Sequence, residues 1–179
     1  MSPSEPAPPA TPKLDLPALA IRALAESDLP AVQKLDERAF GPGRFTRTAY
    51  RLREGVAPDM ALSCVASIGG MLIGANIMTP IRCGPAPALL LGPLTVEPAF
   101  RSRGIGEALA RWSLDRARAQ EHKLVVLVGD EPYYKRLGFR RVPPGRLSMP
   151  GPVDPARLLV HELVDGAFTS VAGAVSRAL

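Results

Sequence analysis

Short apolar runs punctuated by glycine and proline alternate along the chain with stretches of helical spacing. LAIRAL (Leu19 to Leu24) is a strand-like run, and Glu26-Ser27-Asp28 offers a cap before Leu29, Val32, Leu35 and Phe40, which predict a helix. GPGR (Gly41 to Arg44) breaks that pattern, and a second helix is expected over Phe45 to Arg53. From Met60 to Ile81 the chain carries no charge, a stretch long enough to cross a bilayer as a helix. Gly69-Gly70 sits in its middle, however, and Gly74, Asn76 and Pro80 follow. The halves MALSCVAS and MLIGANIM therefore read as two strands about a tight turn, with no membrane span. With the turn at Gly69-Gly70, Cys64 faces roughly residue 75 and not Cys83, so the hairpin supports no disulfide.

ALLLGPLTV (Ala88 to Val96) is apolar on both faces, as expected of a central strand covered on both sides. Its interior Gly92-Pro93 marks a bulge or a place where the strand leaves its neighbour, because proline donates nothing to a ladder and glycine packs nothing. Such an opening frees backbone amides for a ligand. Ile105, Ala108, Leu109 and Trp112 then recur as the apolar stripe of a helix entered through glycines. KLVVLVG (Lys123 to Gly129) is a buried strand, EPYYKRL a short helix with Pro132 in its first turn, and GFRRV (Gly138 to Val142) another strand. A proline-rich bend leads to ARLLVHEL, the last expected strand, and the weakly apolar residues 166–179 suggest at most a marginal helix.

The chain has 179 residues, 46% of them hydrophobic, which suits one globular core. Residues 1–17 hold six prolines and no apolar run, so they read as a disordered tail and not a secretory signal. The division expected is tail 1–17, one domain over 18–165 and a C-terminal extension over 166–179. Two cysteines without metal-ligand spacing point to a reducing, cytoplasmic compartment and to no bound metal. The formal charge of +5 comes mostly from arginine and suits a phosphate-bearing partner. Five Phe, three Tyr and one Trp, with Trp112 on a helix stripe, provide no stacking surface, so no nucleic acid is expected.

Candidate chemistry gathers where LGPLTV meets the helix near Gly104. Arg101-Ser102-Arg103-Gly104-Ile105-Gly106 lies at a helix amino terminus, where unpaired amides and the helix dipole favour an anion. Glycine at 104 and 106 lets a diphosphate approach the backbone, and the two arginines add charge. The same residues also suit a plain strand-to-helix turn with solvated arginines. A Walker loop is excluded because Glu107-Ala108 stands where Lys-Ser/Thr is needed. A dinucleotide fingerprint fails at Leu109, where a third small residue belongs.

Two ordered motifs resemble the GNAT N-acetyltransferase superfamily, and within it the bacterial YhbS-like predicted acetyltransferases. Arg101, Gly104 and Gly106 match the acyl-CoA signature Arg/Gln-x-x-Gly-x-Gly/Ala, after a hydrophobic strand ending in LTVEPAF. Tyr134, Gly138 and Phe139 match Tyr-x-x-x-Gly-Phe, and GDEPYYKRLGF matches the longer YhbS-like form throughout. The likeness extends more loosely from Ile21 to Leu163. It implies an α/β (α+β) fold: a mixed, mostly antiparallel sheet of six to seven strands flanked by about four helices, with a splayed central strand pair. It further implies acetyl-CoA as acyl donor and direct transfer of the acetyl group to a primary amine in a ternary complex. In this family the backbone at Leu94, Thr95 and Val96 holds the pantetheine arm, and Arg101, Ser102, Arg103, Gly104, Ile105, Gly106 and Glu107 hold the pyrophosphate.

By the same resemblance Tyr134 donates to the leaving sulfur. Reference values of about 10 for tyrosine and about 8.5 for a thiol make full proton transfer uphill by roughly 2 kcal/mol, so a hydrogen bond is the better description. Tyr133 and Tyr134 point about 100° apart on a helix, so one of them faces the sulfur. Asp130 is the candidate base acting through water, although a helix cap suits it better. Glu97 stands near the strand end and faces solvent in the alternative reading. ALLLGPLTV lacks the carboxylate that relatives often carry there. His122 and His161 are read as structural. The acceptor site corresponds to Arg38–Arg53 and Pro143–His161, whose arginines suit an acidic or peptide acceptor. A catalytically silent acyl-CoA-binding module is the alternative with the same fold, and homodimers are frequent among such domains.

Overall fold

A computed structural model describes residues 19–179. The proline-rich tail assigned to residues 1–17 lies outside the described residues. The strand expected first is β1 (Leu19–Ala23), and α1 (Leu29–Phe40) follows after a 3-10 turn at Glu26–Asp28. Asp28 accepts from the Ala25 N–H at 2.8 Å and from both terminal nitrogens of Arg22. The second helix is shorter than its pattern suggested. Residues 42–46 form a 3-10 turn, and α2 covers Thr48–Arg53.

The uncharged stretch is a hairpin of β2 (Cys64–Ile68) and β3 (Met71–Cys83). No helix among the described residues is long and apolar enough to cross a membrane. A bulge between Ala66 and Ser67 shifts the register by one, so Cys64 pairs with Asn76 and not residue 75. Both cysteines are buried and free. Next come β4 (Ala86–Val96), α3 (Ile105–Ala119), β5 (Leu124–Val128), α4 (Glu131–Lys135), β6 (Arg140–Arg141), β7 (Leu147–Ser148) and β8 (Leu158–Glu162). The marginal helix expected near the carboxyl end is instead β9 (Gly173–Arg177), which pairs with β3 at Ile81–Cys83 and with β7. Its pull is tertiary: only Val175 of these five residues is buried, and it packs beside Ile81 and Cys83.

Neighbours in the sheet run β1-β2-β3-β4-β5-β8-β6, antiparallel except for β4 and β5. α3 links these two parallel strands. β4 carries core side chains on both faces, as its sequence required. Leu89 and Leu91 pack with Ala110, Leu114 and Ala117 of α3, while Ala88 and Leu90 join Leu52, Phe168 and Val171 on the other side. The buried stripe of α3 is Ile105, Leu109, Ala110, Ser113, Leu114 and Ala117. It is rotated from the stripe read in sequence. Ala108 and Trp112 lie at its edge, with Trp112 under the Arg116 guanidinium at 4.1 Å.

Candidate functional site

β4 and β5 pair only at Leu89–Val125 and Leu90–Val126, then part. The divergence begins where Gly92-Pro93 interrupts β4; its register with β3 jumps from Met78–Leu91 to Asn76–Leu94 at the same place. Beyond the break, the Glu97 N–H donates to the Ile73 carbonyl at 2.8 Å. Alternation in an antiparallel ladder then makes Thr95 and Ala75 a hydrogen-bonded pair and turns the N–H and C=O groups of Leu94 and Val96 toward the side that β5 has left. Thr95 therefore differs from its expected role. Its backbone faces β3, and its hydroxyl donates to Asp36 Oδ1 at 2.6 Å.

The opening is a cleft of about 650 Å³ between the β4 break, the end of β5 with Tyr134, and α1 and α2. Apart from the residues that line this cleft, α3 is entered through Gly104, which adopts a left-handed conformation with φ 79° and offers no side-chain cap. Ser102 shares that unusual backbone region at φ 62°. The first-turn amides of Ile105, Gly106 and Glu107 precede the first helical bond, from the Ala108 N–H to Gly104. The charged neighbours are less free than the sequence suggested. Arg101 Nε donates to the Val96 carbonyl at 3.2 Å, Arg103 lies 5.6 Å over the Phe100 ring, and Glu107 pairs with Arg111 at 2.8 Å.

Tyr134 faces the cleft, whereas the Tyr133 oxygen lies against α3, where a Cβ at Gly106 would come within 2.7 Å of it. The two side chains diverge as helix geometry demands. Gly129 makes room for the Tyr134 ring: a Cβ there would approach Cε2 to 2.5 Å. Edge-on contacts with Tyr133 at 4.9 Å and Phe139 at 5.8 Å hold the ring from its other sides. Burial, with smaller contributions from Tyr133 and Asp130, pushes the Tyr134 phenol well above the ordinary tyrosine range.

Asp130 lines the cleft but does not cap α4; its carboxylate pairs with Arg157 instead. The 3-10 turn Pro155–Arg157, which leads into β8, supplies that arginine, a partner invisible in the local sequence. Glu97 pairs with Arg38. His161 donates through Nδ1 to the Gly138 carbonyl at 2.9 Å and stacks at a tilt on Phe139, a packing role.

One cleft residue, Asp36, was not singled out in the sequence, and Arg53 entered only as the end of the acceptor segment Arg38–Arg53. Asp36 reaches across from α1 to Thr95, and burial raises its carboxyl above the ordinary range against the opposing hydrogen bond from Thr95 and the charges of Arg53 and Arg44. Arg53, at the end of α2, is drawn down to about 10 by burial, opposed by Asp36. A signal for Asp36 existed: Val32, Asp36 and Phe40 lie four residues apart, so the acid interrupts the apolar face of α1. Among the described residues, no group of three or more His, Cys, Asp or Glu could hold a metal ion.

A mixed sheet that parts between two parallel central strands, beside the start of a long helix, defines the GNAT acetyltransferase fold. The acetyltransferase (GNAT) domain model matches residues 60–141 of the chain. It is 28% identical over 158 residues to the uncharacterized N-acetyltransferase YhbS of Escherichia coli K12, covering 87% of this chain and 93% of that protein. The crystal structure of E. coli YhbS in complex with CoA superposes with a TM-score of 0.76 at 26% identity, over 89% of each chain. A GNAT family acetyltransferase from Brucella melitensis, in complex with acetyl-CoA, gives a TM-score of 0.60 at 28% identity, over 84% of this chain and 98% of that one.

Proposed function

We propose that the protein transfers an acetyl group from acetyl-CoA to a primary amine by direct attack in a ternary complex. The observation that carries this reading is the parting of β4 from β5, which presents the Leu94 backbone to a cleft that also receives Tyr134. The CoA and acetyl-CoA held by the two similar structures support the choice of donor.

Acetyl-CoA supplies an activated thioester. Leu94 and Val96 add backbone hydrogen bonds along the pantetheine arm and polarise the thioester carbonyl. The segment Arg101–Glu107 receives the pyrophosphate through the first-turn amides of α3, with Arg101 and Arg103 adding charge. A neutral amine attacks the carbonyl carbon, the carbon–sulfur bond breaks, and Tyr134 hydrogen-bonds to the departing sulfur. The attacking nitrogen releases its proton through cleft water to Asp130. Because burial raises the Tyr134 phenol further above a thiol, it keeps its proton and acts as a donor.

Calorimetric titration with acetyl-CoA and desulfo-CoA tests the donor. Micromolar or tighter binding is expected; a folded protein that binds neither overturns the proposal. Binding without release of thiol in the presence of any amine would leave a silent acyl-CoA-binding module. Gly129→Ala provides a finer test. The added methyl displaces the Tyr134 ring, and kcat is expected to fall about tenfold or more with acetyl-CoA affinity retained. Unchanged turnover would show that the ring position is not used.

A further inference from the structure

Seven charged side chains line the cleft, four arginines and three aspartates, and most already have partners within the protein. Arg157 is paired with Asp130, and Asp154 accepts from the Ala156 N–H at 2.9 Å. Arg44 pairs with Glu37 at 3.2 Å and donates to the Gly41 carbonyl at 3.0 Å. Arg47 lies 5.0 Å over the Phe40 ring. Arg53 differs. Among the described residues its guanidinium makes one hydrogen bond, a 3.4 Å contact from Nε to Ala49 in its own helix. Its two terminal nitrogens make none among the described residues.

Asp36 is the complementary case. Thr95 occupies Oδ1, and Oδ2 accepts no hydrogen bond among the described residues. Asp36 and Arg53 influence one another electrostatically, yet no direct ion pair joins them. Arg53 is half-buried and lines the cleft, so its open fork of donors faces the space that a ligand would fill. The partner that matches a planar fork is a carboxylate, held through two parallel N–H bonds. A carboxylate with an open oxygen in turn suits an ammonium. Ile77 and Leu91 provide an apolar floor to the same cleft.

Building on the acetyltransferase reading above, we infer that the acceptor is a primary amine that itself carries a carboxylate, its ammonium seated at Asp36 and its carboxylate on Arg53. The two ends of such a molecule complement the two open groups of the cleft.

The test compares matched probes: leucine with leucinamide, and 6-aminohexanoate with 6-aminohexanamide. Their dissociation constants are measured by NMR titration at pH 6.5, where every amine is mostly protonated. Titrations are run on the full chain with and without saturating CoA. At least one carboxylate is expected to bind about tenfold or more tightly than its amide. Arg53→Gln should collapse that ratio to about one, whereas Arg53→Lys, which keeps the charge but loses the fork, should retain part of it. A ratio within twofold in the parent protein for both pairs, absence of binding by all four probes, or a ratio that survives Arg53→Gln overturns the inference. Thermal unfolding of each variant identifies a misfolded one, in which case Arg53→Lys and the parent ratio decide. Failure to bind CoA would sink the acetyltransferase reading separately, and the titrations without CoA would still decide this one.

Discussion

Tyr134→Phe is expected to lower kcat about 100-fold or more while the dissociation constant for acetyl-CoA stays within about twofold. The substitution removes one oxygen and keeps the ring, so the contacts with Gly129, Tyr133 and Phe139 persist. What disappears is the donor to the departing sulfur. Burial raises the phenol, so an ordinary tyrosine limb near about 10 should also be missing from the alkaline side of the kcat profile. Steady-state kinetics of parent and variant across pH, with calorimetry for affinity, check both parts. A variant within about threefold of the parent would reduce Tyr134 to a packing aromatic.

The motif around Tyr134 was legible because its chemistry is local. Gly129, Tyr134, Gly138 and Phe139 lie within one strand, one short helix and the turn after it, and each contacts another within that unit or the adjoining β8. The Gly92-Pro93 interruption was legible for the same reason: residues that cannot serve a ladder announce where the ladder fails. The helices α1 and α3 followed from periodicity, since burial on a defined face leaves a repeating mark, and β4 from a continuous apolar run covered on both faces. β7 and β9 left none, being two and five residues long and held by pairing with each other and with β3.

The acceptor side was hidden by topology. Asp36 lies on α1 and Arg53 on α2, yet both line one cleft with the interrupted part of β4, Leu91 to Leu94, far along the chain. No local spacing relates them. The sequence also overstated the freedom of charged groups. Arg101, Glu107 and Asp130 read as available chemistry, but Val96, Arg111 and Arg157 respectively engage them. Conversely, a carboxylate absent from β4 is supplied from α1 and held there by Thr95. Charge at a site built from several elements is therefore better read from what remains unpaired than from residue counts.

Phe139→Ala is expected to destabilise the fold by about 3–5 kcal/mol, the range for removing a fully buried aromatic side chain. Phe139 is 2% exposed and fills the space between Tyr134 and His161, with ring centroids at 5.8 and 5.3 Å. It belongs to the cluster that includes Leu137, Leu159 and Leu163 and continues beneath α3 through Leu114 and Ala117. A cavity there loses dispersion contacts on several sides at once, because β8 and α4 are anchored elsewhere and cannot collapse into it. Urea unfolding should show a lower midpoint with little change in slope, and the thermal midpoint should fall by on the order of 10 °C. The same variant removes one wall of the Tyr134 ring. Turnover should therefore fall under conditions where the variant remains folded, with the loss in kcat exceeding any loss in acetyl-CoA affinity, because Phe139 is absent from the cleft lining. A stability change below about 1 kcal/mol would mean that the site repacks, and Tyr134 would then be held by Gly129 and Tyr133 alone.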